Sequence, residues 1–255
     1  DVGNGRMLEL DPRGVPTGEV VTSERVPAGR AFSGGEEVPV IDERGRWYFG
    51  GEGIRTEASG GVFSDSIALE RWSVDAGLER VAARPIDRVV VGGVRPLSGA
   101  EAPFAKPRSD WAVCPDGTVY IGVPEPYRVR VVTASGASRV GPVVEFTPVA
   151  VTEAWVDRWW NEVGSTTPNT IHRFQRGGEA SVTLELEERR ALDLPDHLPA
   201  MKQRAVHCGP GGRGWVERNV EAHAPPRIDV FDQTGTRVQR FDLPMGARIV
   251  GFGDG

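Results

Sequence analysis

The chain has 255 residues, of which 39% are hydrophobic and 26% charged, ordinary values for a folded protein with a substantial core. Its formal net charge of −6 repels a phosphate backbone and argues against nucleic-acid binding through overall charge. No apolar run approaches the roughly 18 to 20 residues of a spanning helix, so no membrane span is expected.

The opening, Asp1-Val2-Gly3-Asn4-Gly5, is strand-like and has no charged-then-apolar leader before it. A turn at Leu10-Asp11-Pro12-Arg13-Gly14 leads into a strand at 18–22. A strand at 37–41 is followed by the turn Asp42-Glu43-Arg44-Gly45 and by Arg46-Trp47-Tyr48-Phe49. Next come the turn Val74-Asp75-Ala76-Gly77 and a strand at 78–82. The pattern then repeats: a strand at 111–114, Pro115-Asp116-Gly117-Thr118-Val119-Tyr120-Ile121, the turn Val132-Thr133-Ala134-Ser135-Gly136, and a strand at 137–140. Thr152 is the candidate N-cap of an amphipathic helix over 153–163, with Trp155, Val156, Trp159 and Val163 at helical spacing. Beyond it, Phe174-Gln175-Arg176-Gly177-Gly178 precedes a strand at 180–186 in which Val182, Leu184 and Leu186 alternate. A strand at 204–208, Pro210-Gly211-Gly212-Arg213-Gly214-Trp215-Val216, the turn Phe231-Asp232-Gln233-Thr234-Gly235 and a strand at 237–243 follow. The chain closes on a strand-like 247–252 and a turn signal, Gly253-Asp254-Gly255. No partner strand follows that turn, so the expectation is a piece of a longer protein.

Superposing Gly45, Gly117 and Gly212 places Tyr48, Tyr120 and Trp215 at one equivalent position. The second-turn glycines Gly14, Gly77, Gly136, Gly178 and Gly235 recur at intervals of 42 to 63 residues. Four antiparallel strands per interval is the meander of a propeller blade. The predicted fold is therefore an all-β propeller in one domain. It comprises an opening half-blade, four fuller blades at about 36–86, 108–146, 147–192 and 200–243, and one further strand, with the helical segment at about 150–165. The last strand either pairs with the opening half-blade or begins another blade.

These residues resemble bacterial β-propeller proteins of the broad NHL and TolB-like kind, usually six-bladed. The resemblance rests on Pro115-Asp116-Gly117-Thr118-Val119-Tyr120-Ile121, on Arg227-Ile228-Asp229-Val230-Phe231-Asp232 with its turn at Gly235, and on the blade-sized spacing. Gly209-Pro210-Gly211-Gly212 departs from it by lacking the acidic residue of the usual turn. The resemblance implies a rigid disk presenting loops to a ligand or partner, and an extracytoplasmic location; some relatives are hydrolases or lyases.

Eight residues before the second-turn glycine stand Arg6, Arg128 and Arg227. Guanidinium groups there would bind carboxylate or phosphate through forked hydrogen bonds, although ion pairing with neighbouring acids is the commoner use of such arginines. Tyr127 and His223 join them as candidate ligand-binding residues. Among the tryptophans, Trp160 lies off the stripe of Trp155 and Trp159 and is the candidate partner contact. His172, His197, His207 and His223 are scattered, and with Cys114 and Cys208 they show no metal-ligand spacing, so neither metal nor cofactor is expected. The two cysteines read as buried free thiols; a disulfide is the alternative if they lie at matching depth in adjacent blades. Neither a Gly-x-Ser-x-Gly elbow nor a phosphate loop occurs. The functional expectation is a non-enzymatic binding or scaffold domain for a small anionic ligand, peptide or protein, with a hydrolase or lyase at the channel mouth as the alternative.

Overall fold

The computed structural model of the chain describes residues 6–10, 16–22, 40–58, 61–90, 109–164, 170–175, 178–183, 195–249 and 251–252. Strands β1 (Arg6–Leu10) and β2 (Pro16–Thr22) form an antiparallel hairpin. The first four-stranded sheet is an antiparallel meander of β3 (Val40–Ile41), β4 (Trp47–Ala58), β5 (Gly61–Ser73) and β6 (Gly77–Val90). The second has the same order: β7 (Asp110–Val113), β8 (Val119–Pro124), β9 (Tyr127–Val132) and β10 (Ser138–Val140). Then come β11 (Val149–Ala150), α1 (Glu153–Gly164), the hairpin of β12 (Thr170–Gln175) and β13 (Gly178–Thr183), and β14 (His197–Leu198), which pairs with β11. The third four-stranded sheet is β15 (Met201–Gly209), β16 (Arg213–Arg218), β17 (Arg227–Phe231) and β18 (Arg237–Asp242). Blade-sized meanders thus stand where three of the four fuller blades are expected. Among the described residues no sheet closes on itself.

The turns explain the strand breaks. Asp42 and Asp116 each accept a backbone N–H from two residues on, Arg44 at 2.9 Å and Thr118 at 2.8 Å, and so hold the first turn of their sheets. The third sheet has no acid there. Its chain instead turns through a short 3-10 segment at Pro210–Gly212, with φ of 70° at Gly211 and 64° at Gly212, values that glycine adopts without strain.

The three meanders pack against one another, and their sequences show it. Strands β8 and β9 are buried on both faces. Val119, Ile121 and Val132 meet Tyr48, Leu69 and Ala82 of the first sheet, whereas Tyr120, Val129 and Val131 meet Val206, Val216 and Phe231 of the third. A strand enclosed on both faces alternates between two neighbours rather than between core and water. Each fully buried valine or isoleucine there contributes about 1.5 to 3 kcal/mol. At one point backbones touch: a Cβ on Gly141 would fall on the carbonyl of Gly235 in the β17–β18 turn. Gly141→Ala is therefore expected to destabilise by about 1 to 3 kcal/mol in a denaturant melt, through overpacking at this seam; an unchanged midpoint would refute the close approach.

Three expectations are corrected. The blade predicted at 147–192 is not a four-stranded sheet among the described residues, where its strands form only the β12–β13 hairpin and the pairing of β11 with β14, while the helix expected within it over 153–163 is present as α1. Thr152 caps that helix, its Oγ1 accepting Trp155 N–H at 3.2 Å, and Trp155 and Val156 bury against Leu198, which favours helix over hairpin at this point. The strand predicted at 247–252 pairs with nothing among the described residues. A turn closed by Ala247 N–H on Pro244 O at 3.0 Å redirects the chain, and the Phe252 ring packs on Trp215 instead. Finally, Cys114 and Cys208 are not free thiols. Cys114 directly follows β7 and Cys208 lies on β15, the packing of the second and third sheets brings their Cα atoms to 5.1 Å, and the two form a disulfide.

Candidate functional site

The seam between the second and third sheets holds a cluster of charges built on β17. In Arg227-Ile228-Asp229-Val230-Phe231, alternation puts Ile228 and Val230 on one face and Asp229 on the other, toward the second sheet. Asp229 has no exposure at all. An isolated carboxylate there would be prohibitively costly, so its oxygens must be filled. The Arg240 Nε–H donates to Oδ1 at 2.7 Å from the adjacent β18. The Arg218 Nη1–H donates to Oδ2 at 2.7 Å from β16, and the Tyr127 hydroxyl donates to Oδ2 at 3.0 Å from β9 of the second sheet. Arg237 stands 3.8 Å from Oδ1.

Arg218 is buried and fully engaged. Its Nε–H donates to Ala200 O at 2.6 Å, and its guanidinium lies 4.4 Å from the Tyr127 ring centroid and 5.4 Å from that of Phe146. Burial pushes the Asp229 carboxyl up, but the bonds from Arg240 and Arg218 outweigh it and hold the group below the usual carboxylate range. Tyr127 moves the opposite way: burial and the neighbouring Asp229 charge push its hydroxyl well above the ordinary tyrosine value. The cluster is thus a pre-ionised carboxylate inside a ring of guanidinium groups, with Arg237 and Arg240 about one-third exposed at its rim.

The predicted site residues fall in different places. Arg227 stands two residues before Asp229 on the same face and forks onto Asp242 at 2.7 and 3.1 Å, which raises its own pKa. Arg128 occupies the equivalent start of β9, on the face shared with Val132 toward the first sheet; its Nε is buried and has no hydrogen-bond partner among the described residues. The two arginines therefore line successive seams rather than one cluster. Tyr127 is fully buried and belongs to the Asp229 cluster. His223 is exposed in the loop between β16 and β17. Arg6 lies in β1 and Trp160 in α1, but their side chains fall outside the described residues.

Asp229, Arg218, Arg237 and Arg240 went unread in the sequence. The signal was an acid in the middle of an apolar strand, which alternation alone reads as a solvent face. A second charged group lies on β15 and β16, where Glu217 meets His207 at 3.0 Å and Lys202 at 3.5 Å. Burial raises the Glu217 carboxyl and His207 and Lys202 outweigh it, leaving it below the usual range. Among the described residues no group of three or more His, Cys, Asp or Glu side chains is placed to hold a metal ion. Among the same residues no helix is long and apolar enough to cross a membrane.

No protein-family model matches the chain, and no curated protein matches it. Among solved structures it is similar to a quinonprotein alcohol dehydrogenase-like protein from Bacteroides thetaiotaomicron VPI-5482. The identity is 14% and the TM-score 0.17, over 74% of this chain and 45% of that one. The chain thus spans less than half of that protein's length, and so low a score carries no argument about fold or chemistry.

Proposed function

We propose that this chain is a non-enzymatic binding or scaffold domain, a β-propeller of the NHL and TolB-like kind, whose third sheet engages an acidic peptide or protein segment. The observation that carries this reading is the charge balance around Asp229. Among the described residues Arg218, Arg227, Arg237 and Arg240 pair with Asp229 and Asp242, and Arg237 meets its acid at 3.8 Å. An excess of guanidinium groups with partly exposed forks is suited to carboxylate recognition. The acids of the two clusters suit structure and binding, since the oxygens of Asp229 are taken up by Arg218, Arg240 and Tyr127 and those of Glu217 by His207 and Lys202 rather than presented as a base or nucleophile. The disulfide supports an extracytoplasmic setting, because such bonds persist in oxidising compartments.

Titration of the isotope-labelled protein with a hexaglutamate peptide tests this. Amide shifts are expected to concentrate on β17 and β18, to weaken as salt is raised, and to be largely lost in Arg237→Gln, whose side chain contributes least to the buried network. Absence of shifts on these strands at millimolar peptide would overturn the proposal.

A further inference from the structure

The third sheet ends on β18, a six-residue edge strand: β17 covers one of its edges, and among the described residues nothing pairs with the other. The strand is irregular at one place. Val230 pairs with Gln239 but Phe231 pairs with Arg237, so Val238 is an extra residue, a β-bulge. In an even strand residues three apart point to opposite faces; the bulge puts Arg237 and Arg240 on the same one. Cross-strand partners share a face, and the partners of these arginines, Phe231 and Asp229, are two positions apart on β17. Both guanidinium groups accordingly approach Asp229 Oδ1, at 3.8 and 2.7 Å, while about one-third of each side chain stays exposed.

The backbone of that edge is aimed outward at the same place. Leu243 N–H donates to Pro226 O at 2.7 Å beyond one end of the β17–β18 ladder, and Asp232 N–H donates to Thr236 O at 3.0 Å beyond the other. Hydrogen-bonded and non-hydrogen-bonded pairs alternate along an antiparallel ladder, so Arg227 with Asp242 and Asp229 with Arg240 are non-hydrogen-bonded pairs. The N–H and C=O groups of Arg240 and Asp242 therefore point away from β17, to the free edge. An edge strand in this state is a template for another extended chain.

We infer that an acidic segment binds this sheet by strand addition: it lies antiparallel along the free edge of β18, with acidic residues at alternate positions. This rests on the reading of the sheet as a site for acidic segments and adds the manner of binding. A residue directly opposite Arg240 takes up its outward N–H and C=O, and its side chain stands on the face of the two guanidinium groups, as does that of the residue two positions along toward Arg237. The side chains between fall on the opposite face, the one that carries Phe241. Charge chooses the occupant. A second copy of β18 would set arginine against arginine, and like charges opposed across strands repel.

The test titrates the 255-residue protein with an acetylated hexapeptide of alternating glutamate and threonine, followed by amide shifts, and with two modified forms of it. One form carries N-methyl groups on the glutamate amides, the other on the threonine amides; charge and side chains are the same in both. In the inferred register the glutamate amides face β18 and the threonine amides face water. Methylating the glutamate set is expected to weaken binding at least tenfold, and methylating the threonine set to change it less than about twofold. Equal binding of all three peptides at β17 and β18 would overturn strand addition while leaving the charge reading of the sheet intact. The reverse order of the two methylated forms would overturn it as well. No binding by the unmodified peptide would overturn both.

Discussion

Reducing the Cys114–Cys208 disulfide, or replacing both residues by alanine, is expected to lower the free energy of unfolding by about 2 to 5 kcal/mol. The two cysteines are separated by 94 positions. The cross-link therefore removes from the unfolded ensemble the freedom of a loop that contains the second sheet from β8 onward, the helix and the start of the third sheet. In the chain-entropy picture a loop near 100 residues corresponds to about 4.7 kcal/mol, and the alanine pair adds only a small cavity. The bond also fastens a seam that already carries Tyr120 on Gly212 and Asp110 Oδ2 on the Val206 N–H at 3.0 Å. Its loss should free β7 from β15 before the sheets themselves melt. Denaturant midpoints of the oxidised, reduced and double-alanine proteins measure this, and coincident midpoints would refute it.

Asp229→Asn should be nearly as damaging at neutral pH, by about 3 to 5 kcal/mol, because Arg218 would keep its charge in the interior without a counterion. Most of this belongs to Arg218, whose side chain is 6% exposed; Arg240 is 38% exposed, so solvent screens its share. The same carboxylate makes the fold acid-sensitive. Its folded pKa is depressed, so its contribution is complete above the unfolded value near pH 4 and is lost as the pH falls below that through the folded pKa. Stability measured at pH 7 and pH 3 should therefore fall more steeply for the parent protein than for Asp229→Asn. A variant within about 0.5 kcal/mol of the parent at pH 7 would show that the network is not a net support.

The glycine turns, the meander strands and the helix cap were legible because each is a local matter. Asp116 and Gly117 bend the chain through contacts with their own neighbours, and Thr152 caps a helix three residues away. The helix at 153–164 was legible as well, from the Thr152 cap and the helical spacing of Trp155 and Val156; not legible was the surface it buries against, since Leu198 and Ala222 lie far along the chain. The candidate site was half legible. The repeat register singled out Arg227, yet it also grouped it with Arg128, which lines a different seam.

Composition, turn chemistry and strand periodicity alone were sufficient to specify a β-rich chain of repeated four-stranded meanders, because those properties depend on residues a few positions apart. Only the tertiary structure decided that Cys114 reaches Cys208, that Asp229 is an interior anion rather than a surface one, and that Tyr127 serves it from another sheet. These pairings span 94, 11 and 102 positions. Which of many distant groups meet is set by how the sheets stack, and a strand whose two faces both meet protein carries no mark of which neighbour each side chain will find.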